Sequence, residues 1–531
     1  MAERTRPASA FLGAPAFLTL VPLAAHALLS PLGFNPTDDG FVLAYSRRIL
    51  LGQVPHRDFI MIRPALSPLL HAPLVRWAGE NTYLLSRLVV WLELAAIAWL
   101  WIGIIERLAA RPCGPRARLI LALIAFAATA CEFPIMAWHT IDGLFLASAG
   151  LALCVRDGSR AKLVGYSLTG LACLCKQSFV FAGPLAALVL GDAKRPRLWI
   201  AMLAPGLLYA AWAGAVGALP DAVLQLTSQT GLLTSGLLGY LRWEVWIGAL
   251  AGVAATRLGG ERRDERAGHR VSLAFAVLSL LGLSIGLATG TALRASFALF
   301  GLAGAATLAR PSDRPWRKAG LIVLIVAWSS SISVGYNYPG LAGGALMTLL
   351  LARVARGPET CGRWAAAGAI AALLVVLGCF GWARTHHIYR EDIAPRLTMA
   401  LDGVLPGARG VRTNPNTYRF LAELEQGTKV ALRFGKSYAI LPDCPGWWVE
   451  ARQANPLPID WAQEIELKRP ELMDRVIRAL DAGRDTNIVI VSKAEARSLP
   501  KLYRLGHYDA VEHVRQRFTK IAESDLFELY R

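Results

Sequence analysis

Charged residues are scarce in this 531-residue sequence. They make up 18% of it, against 54% for hydrophobic residues, and the mean hydropathy is +0.41. Soluble globular proteins contain about 25% charged residues, so the composition excludes an ordinary soluble protein. The abundance of Leu, Ala, Val and Trp also excludes a disordered chain, because disorder requires few hydrophobic residues.

Acidic residues are the scarcer of the two charged types. The sequence has 38 Asp and Glu against 56 Lys and Arg, which gives a net charge of +18. In a soluble protein, such an excess would suggest a nucleic-acid partner. In an apolar chain, it is more typical of basic loops on the cytoplasmic side of a membrane.

The apolar segments decide between these interpretations. The sequence predicts an α-helical polytopic membrane protein with about thirteen transmembrane helices. With thirteen crossings, the basic loops all fall on the side of Arg4 and Arg6, which places the N-terminus in the cytoplasm and the C-terminus outside. The charge is then a topology signal, and we expect no nucleic-acid partner. The segments are 10–30, 86–105, 119–134, 141–155, 163–175, 178–191, 198–217, 244–256, 271–288, 295–309, 319–334, 341–352 and 364–382.

No apolar run of membrane length is found from residue 384 onward, where 23 Lys and Arg nearly balance 20 Asp and Glu. We therefore divide the chain into a transmembrane module, 1–383, and a soluble domain outside the membrane, 384–531. Short strands are predicted in this domain, together with an amphipathic helix, so we expect an α/β or α+β fold. The predicted strands are 428–434, 486–492 and 526–531, and the predicted helix is 470–483.

The overall composition also indicates a source and a compartment. A bias towards Ala, Gly and Arg is typical of a GC-rich bacterial genome. We therefore expect a multi-pass protein of the bacterial inner (plasma) membrane, with its C-terminal domain in the periplasm.

Cysteines and nucleotide-binding motifs are also lacking. Of eight cysteines, only Cys444 falls in the outer domain, so we expect no disulfide framework. The sequence has no glycine-rich phosphate-binding loop where one would indicate a nucleotide site. Beyond the first external loop, we find only Asp221 and Glu244 as outer-loop acids. We therefore expect no metal and no cofactor, with a divalent cation as the alternative.

Two adjacent acids lie at the membrane surface. Asp38 and Asp39 follow the first apolar segment in the first external loop, 31–85. Carboxylates are unfavourable there, so the pair requires a functional or a structural reason. We interpret one as a general base for an acceptor hydroxyl, with the other orienting it or raising its pKa. The alternative is that one of them caps the helix that begins at Gly40.

The same loop carries a group of cationic and aromatic side chains. Arginines beside acids suit a phosphate or pyrophosphate group, because their hydrogen bonds to phosphate are charge-assisted. The alternative is that these side chains reach lipid head groups. The candidates for phosphate or substrate binding in this loop are Tyr45, Arg48, His56, Arg57 and Arg63.

Two further candidate positions lie at outer helix ends. His139 precedes Asp142, and the two could pair or touch a donor phosphate; alternatively, His139 lies in an interfacial belt and Asp142 caps a helix. Lys176 and Gln177 interrupt an apolar stretch, where a lone lysine is unfavourable without a partner.

Aromatic residues provide further candidates on the outer side. Tyr336 and Asn337 lie in an outer loop and could hydrogen-bond a sugar, with a simple turn as the alternative. Trp447, Trp448 and Trp461 could stack on sugar rings, although tryptophans in a small domain usually belong to its core.

The first external loop resembles that of the GT-C membrane glycosyltransferases, in the branch with the protein O-mannosyltransferases and the lipid A aminoarabinose transferases. The likeness extends to the architecture of the whole chain. It departs from the family where Asp39 replaces the usual Glu and Arg63 replaces a frequent Lys. The matching residues are Asp38-Asp39-Gly40, Tyr45, Arg48, Leu50 or Leu51 with Gly52, Arg63-Pro64, Pro68-Leu69, Gly79 and Arg87-Leu88.

This resemblance implies a reaction. The donor would be a sugar carried on a polyprenyl phosphate, and Asp38 would deprotonate the acceptor hydroxyl as it attacks the anomeric carbon with inversion. Lys176 resembles lysines that approach the donor phosphate. The acceptor would be a glycan, a lipid or a protein, and membrane lipid would surround the enzyme.

Two other functions remain open from the sequence. One is a transporter or flippase of a lipid-linked saccharide, against which we find no convincing internal repeat and a clustering of the polar residues at the outer face. The other is a non-catalytic subunit of envelope assembly, against which the intact acid pair argues.

Overall fold

The structure is a computed structural model that describes residues 9–110, 112–258, 265–308, 313–333, 336–352, 354, 363–451 and 453–531. Some features of the topology prediction lie outside the described residues. These are Arg4 and Arg6, and the parts of the basic loops at 111, 259–264, 309–312, 353 and 355–362.

Helices form most of the chain, and a helix occupies each of the thirteen predicted apolar segments. Residues 9–386 are called the helical half below. Its helices are α1 (Ser9–Leu29), α2 (Phe41–Leu50), α3 (Leu66–Trp77), α4 (Thr82–Leu108), α5 (Pro115–Ala130), α6 (His139–Cys154), α7 (Ser159–Cys175), α8 (Ala182–Leu190), α9 (Pro196–Ala215), α10 (Leu219–Leu226), α11 (Leu232–Leu238), α12 (Trp243–Leu258), α13 (Glu265–Thr289), α14 (Ala292–Leu308), α15 (Arg314–Ser331), α16 (Gly343–Leu351) and α17 (Arg363–His386).

Four of the described helices are long and apolar enough to cross a membrane, which supports a membrane location. Other predicted segments, such as α6 and α14, are shorter than the roughly 20 residues of a straight crossing. The predicted number of thirteen crossings is therefore not confirmed. The four long helices span Gly79–Leu108, Pro196–Ala215, Gly268–Thr289 and Ala366–His386.

The first external loop is folded rather than open. Its helices α2 and α3 pack against each other, and α3 also contacts α6 and α7. The first four residues of α2, from Phe41 to Ala44, are all buried, and the Tyr45 ring stacks on Phe59 with centroids 5.5 Å apart. This packing holds the start of the loop against the helical half.

All strands among the described residues lie after residue 398. Strands β1 and β2 form an antiparallel pair, and the other four form a sheet in the order β3-β4-β6-β5. In that sheet, β3 and β4 are parallel and the other pairs are antiparallel. These elements form the C-terminal part: β1 (Met399–Ala400), β2 (Arg412–Thr413), α18 (Pro415–Phe434), β3 (Ser437–Leu441), α19 (Pro445–Trp448), α20 (Pro470–Gly483), β4 (Asn487–Ser492), α21 (Asp509–Arg517), β5 (Lys520–Glu523) and β6 (Phe527–Tyr530).

Three of the elements predicted in the C-terminal part are confirmed. α20 coincides with the helix predicted at 470–483, and β4 and β6 lie within the strands predicted at 486–492 and 526–531. Strands β3 and β5 were not predicted.

The strand predicted over 428–434 is wrong, because these residues form the last turns of α18. Leu424, Thr428 and Ala431 are buried at intervals of three or four residues, which is the period of a helix. The short window of β-branched and aromatic residues hid the longer helical pattern that begins near Pro415.

Backbone hydrogen bonds join the C-terminal part to the first external loop. The Gly33 N–H donates to the Arg412 carbonyl at 2.9 Å, and the Ile60 N–H donates to the Pro458 carbonyl at 2.6 Å. The loop therefore lies between the other helices of the helical half and the C-terminal part, and it contacts both.

Candidate active site

Asp38, in the first external loop, lies where that loop meets the C-terminal part and the other helices of the helical half, and it is 1% exposed. Its Oδ2 accepts a hydrogen bond from the Tyr389 hydroxyl at 2.5 Å. Arg390 Nη1 lies 2.8 Å from the same oxygen in an ion pair, without the alignment of a hydrogen bond. The other oxygen, Oδ1, is buried and accepts no hydrogen bond from the described residues. One carboxylate oxygen is therefore held in place, and the other remains available to accept a proton.

Asp39 has different surroundings. Its Oδ2 accepts a hydrogen bond from the Asn35 N–H at 2.7 Å, and its Oδ1 accepts one from Arg87 Nη2 at 2.6 Å. Arg87 also donates to the carbonyls of Ser30 and Gly33. Asp39 therefore fastens the start of the loop to α4, and it is not among the residues that line the cavity beside Asp38.

The alternative role of the acid pair as a helix cap is wrong. The N-cap of α2 is Gly40, and no side chain bonds the first turn of this helix. Gly40 has another role, because a Cβ there would lie only 2.3 Å from the Cα of Gly446. The small residue after the acid pair thus lets the C-terminal part approach Asp38.

Asp38 lines a cavity of about 630 Å³, called the central cavity, between the helical half and the C-terminal part. Four arginines and two acids face it, so its lining carries more positive than negative charge. Aromatic rings cover much of the remaining wall. The lining residues are Asp38, Arg63, Glu132, Trp138, Gly290, Thr291, Leu293, Arg294, Tyr336, Tyr338, Tyr389, Arg390, Trp461, Gln463, Ile465 and Arg497.

A second cavity, of about 260 Å³, lies within the helical half and is called the apolar cavity. Lys176 and Gln177 lie in its wall: Lys176 Nζ donates to the Ser330 carbonyl at 3.0 Å, and Gln177 Nε2 donates to the Ile62 carbonyl at 2.7 Å. Most of the other lining side chains are aliphatic or aromatic. The lining residues are Ile62, Arg63, His139, Lys176, Gln177, Ser178, Val180, Phe181, Leu226, Gln229, Leu232, Leu233, Ile332 and Ser333.

Arg63 lines both cavities and joins them. Its Nε donates to His139 Nε2 at 3.1 Å, and its Nη1 donates to Glu466 Oε1 at 2.9 Å. The guanidinium also lies over the Phe41 ring, 5.1 Å from the centroid. A cation is thus fixed at the junction by one residue of α6 and one of the C-terminal part.

Burial sets the acid–base properties of the acids here. Burial raises the pKa of Asp38, against the opposing effects of Arg390 and the Tyr389 hydrogen bond. Burial likewise raises the pKa of Glu466, opposed by Arg63, and that of Asp443 to about 6. Asp38 is therefore a stronger base than an exposed aspartate.

Four of the predicted phosphate-binding residues in the first external loop lie in neither cavity. Arg48 forms a buried ion pair with Asp460, and the His56 ring bonds Gln225 and Tyr209. Arg57 is exposed and pairs with Asp58. The fourth, Tyr45, packs on Phe59.

Some of the candidate residues outside the first external loop line a cavity, and others do not. His139, Lys176 and Gln177 line the apolar cavity, and Tyr336 lines the central cavity. Asn337 is half-buried and lines neither. Asp142 does not pair with His139; it bonds Ser67 and His71 of α3 instead.

The three tryptophans of the C-terminal part also have different surroundings. Trp447 donates to the Tyr438 hydroxyl at 2.9 Å, and Trp448 stacks on the Tyr438 ring, so both belong to the core. Trp461 lines the central cavity, and its ring meets Phe41 edge-on at 4.5 Å.

Sequence reasoning missed several residues of the central cavity. Tyr389 and Arg390 contact Asp38 from just beyond α17. Arg294 reaches the cavity from α14, and Arg497 reaches it from the C-terminal part. Glu132 was overlooked among the outer-loop acids; its carboxylate accepts the N–H groups of Ala292 and Leu293. Its signal was present in the sequence, as an acid near the end of an apolar segment.

The acids of the site do not form a metal-binding group. Among the residues that the structure describes, no three His, Cys, Asp or Glu side chains lie together as potential metal ligands.

No protein-family model matches the sequence, and no curated protein is found as a match. Among solved structures, the chain is similar to the crystal structure of ArnT from Cupriavidus metallidurans in the apo state, with 12% sequence identity and a TM-score of 0.46. The match covers 98% of this chain and 98% of that chain.

Proposed function

We propose that this protein is an integral membrane glycosyltransferase. It would transfer a sugar from a polyprenyl-phosphate-linked donor to an acceptor hydroxyl at the outer face of a bacterial inner membrane. The observation that carries the proposal is the buried carboxylate of Asp38, whose Oδ1 accepts no hydrogen bond from the described residues and which lines a cavity sharing Arg63 with the apolar cavity.

The apolar cavity suits the donor. A polyprenyl phosphate combines an aliphatic chain with an anionic phosphate, and this cavity combines aliphatic walls with Lys176 and Arg63. Burial and the neighbouring Arg63 lower the pKa of Lys176 to about 7, and a bound phosphate would favour its protonated form. Two cations would then favour the negative charge that develops on a departing phosphate. The donor phosphate would lie between these two cations, with its sugar directed into the central cavity.

Asp38 suits the role of general base. Its Oδ1 would take the proton of the acceptor hydroxyl while the hydroxyl oxygen bonds to the anomeric carbon. The bond from that carbon to the phosphate oxygen breaks, and its electron pair stays on the phosphate. This single displacement inverts the anomeric carbon and requires no cofactor.

The positions of the cavities support an outer-face site. The central cavity lies between the helical half and the C-terminal part. In this proposal, the N-terminus is cytoplasmic, and residues 384–531 form a periplasmic domain that covers the site. The acceptor, whether a glycan, a lipid or a protein, would enter from that side.

A transfer assay tests the proposal. Purified protein is given a panel of labelled polyprenyl-phosphate sugars together with extracted envelope glycans, lipids and proteins, with and without a chelator. We expect label to move from one donor into one acceptor fraction. Label that crosses reconstituted vesicles without forming a glycosidic bond would favour a transporter, and no turnover of any donor would favour an assembly subunit.

The donor site predicts a specific effect for Lys176→Met. Loss of a charged hydrogen bond to phosphate weakens binding by about 10- to 100-fold. We expect the KM for the donor to rise by that factor, measured from initial rates at saturating acceptor. Lys194→Met, at an exposed lysine, is the control and should keep the wild-type KM. An unchanged KM in Lys176→Met would place the phosphate elsewhere.

A further inference from the structure

Glu466 is a buried carboxylate that has no role in the proposed reaction, and its negative charge opposes the binding of a phosphate. It is 1% exposed and holds Arg63 through Oε1 at 2.9 Å, while its Oε2 is buried without a hydrogen bond from any described residue. A buried carboxylate beside a phosphate site repels the phosphate, because charges interact strongly away from bulk water. A plain binding site for an anion would be tighter without this carboxylate.

The proposed transfer changes the charge of the phosphate. The donor is a phosphodiester with one negative charge. When the bond to the anomeric carbon breaks, the phosphate keeps the electron pair and becomes a monoester. A phosphate monoester carries about −1.5 to −2 charges at neutral pH. A nearby carboxylate therefore repels the product more than the donor.

We propose that Glu466 is a positioning residue that makes the donor site discriminate against the monoester product and so promotes its release. This inference rests on the proposed function, because it takes the phosphate to lie beside Arg63. Glu466 acts through Arg63: it holds the guanidinium at the junction of the two cavities and neutralises part of its charge. Arg63 and Lys176 then suffice for a singly charged donor, and they bind the product less tightly than two unopposed cations would.

Two probes with the same farnesyl group and different phosphate charges test this proposal directly. Farnesyl phosphate carries the monoester charge of the product, and farnesyl methyl phosphate carries the single charge of the donor. The binding of each is measured by titration calorimetry on the full-length protein and on Glu466→Gln. In Glu466→Gln, we expect both probes to bind more tightly, with the affinity ratio of monoester to diester rising roughly tenfold.

Two further variants control for structure. Glu464→Gln changes an exposed glutamate of the same segment and should leave the ratio at its wild-type value. Glu466→Asp keeps the charge and should restore the wild-type ratio, even where shortening the side chain weakens both affinities. Progress curves of transfer should show stronger product inhibition in Glu466→Gln alone.

The outcomes separate this inference from the proposed function. If neither probe binds the wild-type protein, the donor site itself is wrong. If both bind and the ratio is unchanged in Glu466→Gln, the donor site stands and the role of Glu466 is refuted. That role is also refuted if Glu464→Gln or Glu466→Asp shifts the ratio as far as Glu466→Gln does.

Discussion

Replacing Asp38 by Asn should reduce kcat by about 10²–10⁴-fold, the usual contribution of a general base. Asn has nearly the same shape as Asp, and its carbonyl oxygen can keep the hydrogen bond from Tyr389. It cannot take the acceptor proton, so we expect the chemical step to be slowed while donor binding at the proposed site beside Lys176 and Arg63 is retained. The measurement is the initial rate of sugar transfer by Asp38→Asn at saturating donor, together with the KM for the donor.

Asp39→Asn distinguishes the two adjacent acids. Asp39 pairs with the buried Arg87, so this variant should lower the thermal stability of the purified protein. Its kcat per folded molecule should fall far less than that of Asp38→Asn. Equal losses of kcat in the two variants would mean that Asp39 shares the chemistry, and wild-type transfer by Asp38→Asn would refute Asp38 as the base.

The pH profile provides a second measurement for Asp38. A general base must be ionised, so transfer falls as the pH drops through its pKa. Because burial raises the pKa of Asp38, the acid limb of kcat/KM should lie above the ordinary aspartate value of 3.8. Tyr389→Phe removes a hydrogen bond that favours the charged carboxylate, so it should move this limb further upward. An acid limb at the ordinary value would contradict the raised pKa.

The helical segments and the acid pair could be predicted because their signals are local. A long run of apolar residues predicts a helix, and Asp38 follows the first such run closely in the sequence. The partners of Asp38 are not local: Tyr389 lies 351 positions away along the chain. Nothing around Tyr389 and Arg390 distinguishes them from the other polar residues that follow an apolar helix, so only the fold reveals them.

The arginines of the first external loop show the same limit. By residue type, Arg48 and Arg63 were equally good phosphate ligands. Arg63 lies between two cavities, whereas Arg48 is bound to Asp460, which is 412 positions away. Arg63 also pairs with its own chain, through Glu466, but it still faces the two cavities. Whether a paired arginine faces a cavity depends on the fold, and a single sequence does not show it.

Arg48 and Asp460 therefore connect the motif to the C-terminal part. Arg48 Nε and Nη2 donate to the two carboxylate oxygens at 2.6 and 2.7 Å, and Nη2 also donates to the Leu457 carbonyl. Arg48 is 3% exposed and Asp460 is 2% exposed. Trp461 follows Asp460 directly and lines the central cavity, so this ion pair fixes one wall of the cavity relative to α2.

Arg48→Met should destabilise the protein by about 3–5 kcal/mol, because it leaves the Asp460 carboxylate buried with Asn455 as its main remaining side-chain partner. The measurement is the free energy of unfolding of the detergent-solubilised protein. The double variant Arg48→Met with Asp460→Asn removes the unpaired charge, so it should be more stable than the sum of the single effects predicts.

Arg57→Met is the control. It breaks an exposed ion pair of the same loop and should barely change the free energy of unfolding. If Arg48→Met and Arg57→Met lowered the free energy of unfolding equally, the buried ion pair of Arg48 would contribute no more to stability than the exposed pair of Arg57. Transfer activity should fall with the stability of Arg48→Met and recover in part in the double variant, because Asp460→Asn removes the unpaired charge while the Trp461 ring keeps its contact with Phe41 of α2.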